Sequence, residues 1–157
     1  RLINKSINIS FKRNLKINVK KSLVTLNSQN TIWFKKIFPL LYLPVSCSMR
    51  ATDIIRGLVA MRILQNDNKK SLFYGTTVFQ KRNEHNLFKD FEDEIPIYLN
   101  SKKIVEVLNG LKLKKGNKFY SQNLLKCYKN LILHKIIDKK EYVYLNSWLK
   151  SLKKILN

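Results

Sequence analysis

Arg50, Asp53 and Arg56 follow one another at three-residue intervals in the stretch MRATDIIRGLVAMR at 49–62. A carboxylate flanked by two guanidiniums stays ionised, and forked guanidinium N–H groups suit the oxygens of a diphosphate. At a helix start the three side chains share one face. The cluster therefore reads as a nucleotide-sugar site, with Asp53 as base or as acceptor of a sugar-hydroxyl hydrogen bond, and Arg50 and Arg56 on the diphosphate. The alternative is an ion-pair network that caps the helix, since such networks also place charges close together.

Two further clusters carry polar chemistry. Asn27, Gln29, Asn30 and Thr31 in NSQNT can both donate to and accept from sugar hydroxyls or a base edge, or can form an amide network that holds a loop. In QKRNEHNLFKDFED at 80–93, Gln80, Arg82 and Asn83 begin where a strand should end, which is where α/β enzymes collect ligand contacts. His85 can transfer protons, although a single histidine in a polar loop is more often solvated. Asp90, Glu92, Asp93 and Glu94 read as an exposed acidic turn, because their spacing matches no compact calcium loop. No metal ligands are assigned within this chain. Phosphate-cradling glycine loops, nucleophile elbows and zincin motifs are absent, which excludes the corresponding NTPases, hydrolases and proteases. Cys47 and Cys127 stand far apart with no CxxC, so both read as reduced and structural.

The elements that must position these groups follow from patterning. Alternation through Ile7, Ile9 and Phe11, and then Leu15, Ile17 and Val19, predicts two short strands. Asn27–Phe34 reads as a buried loop leading to a short strand in LLYL between Pro39 and Pro44. Ile54, Ile55, Leu58, Val59 and Ile63 recur at helical spacing, which predicts a helix from Thr52 to Leu64 with Thr52 as N-cap and Asp53 in the first turn. Gly57 inside that helix is unfavourable relative to Ala and implies something packed closely against it. LFYGTTVF at 72–79 predicts a buried strand, Asn86–Asp93 a short helix, and Ser101–Leu113 and Ser121–Leu156 helical segments separated by a turn at Gly116 and Asn117. The fold class is thus α/β, helical at its end.

Of 31 basic residues 25 are lysine, against 10 acidic residues, giving a net charge of +21. Such charge attracts phosphate backbones. Here lysine dominates beside abundant Asn and Ile, as in an A/T-rich genome, and arginine is scarce, so specific nucleic-acid binding is not expected. The charge is uneven: residues 53–101 carry seven basic and seven acidic side chains, which marks the middle as the stretch that retains acids. The longest apolar stretch, Ile37–Val45, is too short to span a bilayer.

The segments NSQNTIWF with LLYLP, MRATDIIRGLVAMRIL and TVFQKRNEHNLFKDFEDEIP occur in an order and spacing that resemble the STELLO-like family of glycosyltransferases, known from the plant Golgi. The resemblance covers residues 1–110, and the lysine-rich helical tail at 111–157 matches no family pattern. It implies the C-terminal part of a GT-A-like glycosyltransferase domain that transfers a sugar from a nucleotide-sugar in polysaccharide or glycan biosynthesis. It also implies a divalent metal, Mn or Mg, whose ligands lie mostly upstream of Arg1, so that the isolated segment would be inactive. By position, Arg50, Asp53 and Arg56 fall in the family's central motif and Gln80, Arg82 and Asn83 in its second. The expected partners are the nucleotide-sugar and a glycan acceptor. With no transmembrane segment, the expected location is cytoplasmic and bacterial, with peripheral membrane or synthase association. The competing expectation is a non-catalytic module of glycosyltransferase shape that docks a synthase complex or an anionic surface.

Overall fold

The computed structural model describes residues 16–20, 22–78, 81, 84 and 86–156, and the expected strand at Ile7–Phe11 lies outside them. At its centre lies helix α1, Met49–Asn66, in which ten of 18 residues are buried. A helix that is apolar nearly all round needs neighbours on every side. These are α2 (Leu87–Asn109), α3 (Tyr120–Leu133) and a 3-10 helix over Lys35–Leu41; α4 (Glu141–Leu156) packs in turn on α3. Ile55, Val59 and Ile63 of α1 meet Ile104 and Leu108 of α2 and Leu124, Tyr128 and Leu131 of α3 in one core.

Helix α1 starts earlier than its apolar pattern suggests. Ser48, not Thr52, is the N-cap residue, and its Oγ donates to the Asp93 carbonyl on α2 at 2.6 Å instead of capping its own helix. Thr52 is inside the first turn, where its hydroxyl donates back to the Met49 carbonyl. Gly57 has the close neighbour expected of it: a Cβ there would lie 2.4 Å from the Leu26 backbone nitrogen.

The two helices expected around 86–113 are a single one. Asn86 caps α2 by accepting from the Phe88 and Lys89 N–H groups, and the helix continues through Pro96. Its buried residues Ile97, Ile104 and Leu108 all follow the proline and pack in the core, while before it Asp90, Glu94 and the Asp93 carbonyl are held by Arg50 and Ser48, so contacts on both sides outweigh the hydrogen bond the proline removes. Arg62 of α1 then donates to the Leu108 and Leu111 carbonyls at 2.9 and 2.7 Å and closes the end of α2. Beyond it the chain turns at Gly116, whose φ of +102° lies in the region glycine favours. The expected 121–156 helical stretch is interrupted by a turn at 134–140, where Lys135 also has positive φ.

The sheet is small. Strand β1, Lys16–Val19, pairs antiparallel with β2, Ser71–Tyr74, in a register that sets Lys16 opposite Tyr74 and Val19 opposite Ser71. Leu72, Phe73 and Tyr74 are exposed, so β2 is not the buried strand expected there, and it ends sooner. Asn27–Phe34 is largely exposed instead of buried, and a 3-10 helix that sinks Leu40 into the core replaces the strand expected in LLYL. The described residues are thus mostly helical, and the α/β expectation holds loosely, through one two-stranded ribbon. No helix among the described residues is long and apolar enough to cross a membrane.

Candidate functional site

The segment at 26–31 lies across the N-terminal half of α1. It can approach because Gly57 presents no side chain, and it is fastened by Asp53 and Arg56, which both precede that glycine on the helix. The Ser28 N–H donates to Asp53 Oδ2 at 3.3 Å. Arg56 donates from one terminal nitrogen to the Leu26 carbonyl at 2.9 Å and to Ser28 Oγ at 3.3 Å. Its guanidinium also lies 4.9 Å from the centre of the Trp33 ring, within cation–π range. Arg56 is only 4% exposed, and burial lowers its pKa while the nearby Asp53 charge opposes that shift. Its Nε is buried with no hydrogen-bond partner.

The loop itself presents Asn27, Gln29 and Asn30 to solvent. Thr31 Oγ1 donates to the Asn27 carbonyl, and Asn30 Nδ2 donates to Thr77 Oγ1 at 2.9 Å, which ties the loop to the segment that follows β2. Gln80, Arg82, Asn83 and His85 continue that segment and lie outside the described residues. The NSQNT loop, the first turns of α1 and the start of the third motif therefore converge in space.

Arg50 departs from this grouping. Its guanidinium pairs with Asp90, and with Glu94 at 3.8 Å, both on α2. The cause is helical geometry: six residues advance the helix by one full turn and roughly 240° more, so Arg50 and Arg56 point about 120° apart. The three side chains do not share one face. Asp90 and Glu94, expected as an exposed acidic turn, are partly buried partners of Arg50.

A second polar assembly, which no motif signalled, holds the approach to α1. Glu141, fully buried at the start of α4, accepts from the Tyr42 hydroxyl, from the Val45 N–H at 3.1 Å and from the Ser46 N–H at 2.8 Å. Tyr42 meets Tyr128 edge to face at 5.3 Å, and Trp148 donates to the Pro39 carbonyl. Burial, then the Glu141 hydrogen bond and charge, push the Tyr42 phenol up, and burial with the Glu141 charge takes the Cys47 thiol to about 11. A thiol so shifted is protonated near neutrality, and Cys127, buried in the core, is pushed up to about 12, so both cysteines are structural. The one signal available was rarity: Asp138 and Glu141 are the sole acids after Glu106.

At the far end of α1, Asp67 accepts from the Gly116 N–H and the Tyr120 hydroxyl, both at 2.7 Å. An open cleft of about 430 Å³ lined by Lys20, Arg62, Asn66, Lys69 and Lys70 lies nearby. It is remote from the predicted site, and its arginine is already committed to the end of α2. Among the described residues no three Asp, Glu, His or Cys side chains gather to hold a metal.

Compared with models of known families, residues 50–156 match the one described as STELLO glycosyltransferases. The matched stretch begins at Arg50 and runs through α4, and so includes most of the residues set apart above as a lysine-rich tail. No curated protein and no solved structure matches the chain.

Proposed function

The chain belongs to the STELLO glycosyltransferases, and from that premise we propose that the N-terminal end of α1 is part of a site where a sugar passes from a nucleotide-sugar donor to a glycan acceptor. The observation that carries this reading is the meeting of Asp53 and Arg56 with the amide-bearing loop at 27–30. Asp53 receives one long hydrogen bond from Ser28, and an ionised carboxylate has about four acceptor positions, so room is left for an incoming hydroxyl.

In this reading Asp53 takes the proton of the acceptor hydroxyl as its oxygen bonds to the anomeric carbon. The bond from that carbon to the diphosphate breaks, and the nucleoside diphosphate leaves. Asn27, Gln29 and Asn30 hold sugar hydroxyls, and Gln80, Arg82 and Asn83 extend the same contacts. Arg56 fixes the loop and keeps a positive charge beside Asp53. Arg50 can grip a diphosphate only by giving up Asp90 and Glu94. We place this site in a GT-A-type domain serving polysaccharide or glycan biosynthesis. The described residues do not fit a metal, so a Mn or Mg ion would draw its ligands from elsewhere, and no step above runs through it.

The test compares wild type with Asp53→Asn in the complete protein, using UDP-glucose and GDP-mannose as donors and release of the nucleoside diphosphate as readout. Loss of a general base lowers turnover by about 10²–10⁴-fold with thermal stability retained. Unchanged turnover removes Asp53 from the chemistry. The engagement of Arg50 by two α2 carboxylates favours a second reading, a non-catalytic module that docks a synthase complex or an anionic surface; it predicts no diphosphate release from wild type and salt-sensitive capture of a partner.

A further inference from the structure

We propose that the outward face of α2 is a self-association surface on which a second copy of this chain packs antiparallel. The inner face of α2 is buried through Ile97, Ile104 and Leu108. On the opposite side stand Phe88, Phe91, Ile95 and Leu99, at intervals of three, four and four residues that place them in one row. Phe88 is 83% exposed and Leu99 79%. Single exposed apolar residues are ordinary, but a row of four along three turns of the longest helix marks a surface that is covered by something.

Charge selects the occupant. Glu92 lies within this row, and Lys102 lies one turn beyond its end with its side chain 90% exposed, in a loose 3.9 Å pair with Glu106 of its own helix that leaves the ammonium open to a second carboxylate. A parallel partner would set Glu92 beside Glu92. An antiparallel partner centred at the level of Ile97 sets Glu92 against Lys102 of the second copy and Ile95 against its Leu99. Each contact occurs twice by symmetry, so the face is complementary to itself. The wider distribution agrees. Six of the chain's ten acids, Glu84, Asp90, Glu92, Asp93, Glu94 and Glu106, fall at 84–106, where three lysines accompany them. Two molecules of net charge +21 can meet here without setting one lysine-rich surface against another. One helix face buries less than the roughly 1,200 Å² at which stable interfaces begin, so the dimer is reversible.

Sedimentation velocity across micromolar concentrations tests this. Wild type is expected to show a monomer–dimer equilibrium, and Leu99→Asp to raise its dissociation constant at least about tenfold while leaving the circular dichroism of this exposed position unchanged. Glu92→Lys should weaken the dimer, and Glu92→Lys with Lys102→Glu should restore it, an exchange that only the antiparallel register allows. A monomer at every concentration overturns the proposal, as does a dimer indifferent to Leu99→Asp or not restored by the exchange. Growth past the dimer would indicate a head-to-tail contact and also overturns it. If instead the monomer sediments with phosphatidylcholine vesicles in a Leu99-dependent way, the face binds lipid and the proposal fails.

Discussion

Gly57 shows how one absent side chain sets the geometry of the candidate site. In an open helix, Gly57→Ala would gain about 1 kcal/mol of helix propensity. Here the new Cβ would meet the Leu26 backbone nitrogen at 2.4 Å, and a backbone atom cannot rotate aside as a side-chain end can. We expect net destabilisation of about 1–3 kcal/mol, as in other overpacked positions, or displacement of the 26–31 loop. Urea unfolding measures the first outcome and loss of Trp33 fluorescence perturbation by Arg56 the second; a stabilised variant with the loop in place would contradict the packing described. The glycine's role was legible in the sequence, because a glycine inside a strong helical pattern needs a reason. The divergence of Arg50 from Arg56 was less so. Three-residue spacing brings neighbours close, but its angular error accumulates, and only the positions of α2 and the 26–31 loop decide where each guanidinium goes.

At the level of elements, helices are held to one another by carbonyls and carboxylates as much as by apolar contact. Asp67, at the end of α1, fastens the start of α3 through Tyr120 and the Gly116 turn. The Tyr120 hydrogen bond, then the Gly116 N–H and nearby lysines, outweigh burial and lower its pKa. A group whose folded pKa lies below its unfolded value near 3.9 adds stability above that value and loses it as pH falls through the folded one. Wild type should therefore lose stability on acidification through and below pH ~4 more steeply than Asp67→Asn. Parallel thermal melts from pH 6 to 2 check this, and identical slopes would show that Asp67 contributes no linkage. Helix α1 was readable from its apolar spacing although it is buried nearly all round, and the helical character of α3 and α4 from the one face each buries, but not the turn that separates them. The union of two expected helices into α2 was not, because a proline reads as a boundary unless both flanking turns pack on the same neighbour.

For the whole molecule, the net charge of +21 on 157 residues is a standing repulsion. Among the described residues acids counter it locally where Asp90 and Glu94 meet Arg50, Asp53 lies beside Arg56, Glu106 pairs with Lys102 and Asp67 lies near Lys69 and Lys115. Raising ionic strength from about 10 to 150 mM shortens the screening length from about 30 to 8 Å, so Tm should rise with salt, as differential scanning calorimetry can show. A fall in Tm would mean that surface ion pairs dominate. The Glu141 assembly itself was invisible in the sequence, since Tyr42 and Glu141 are 99 positions apart and Glu141 sits in no motif. That separation bears on how the protein is made. The segment leading into α1 acquires its anchor only when residue 141 has emerged from the ribosome, long after Asp53 and Arg56 have been synthesised. Until then the nascent chain carries the candidate site's residues without the fastening that leads to them, so the site is completed late in translation and not as its own residues appear.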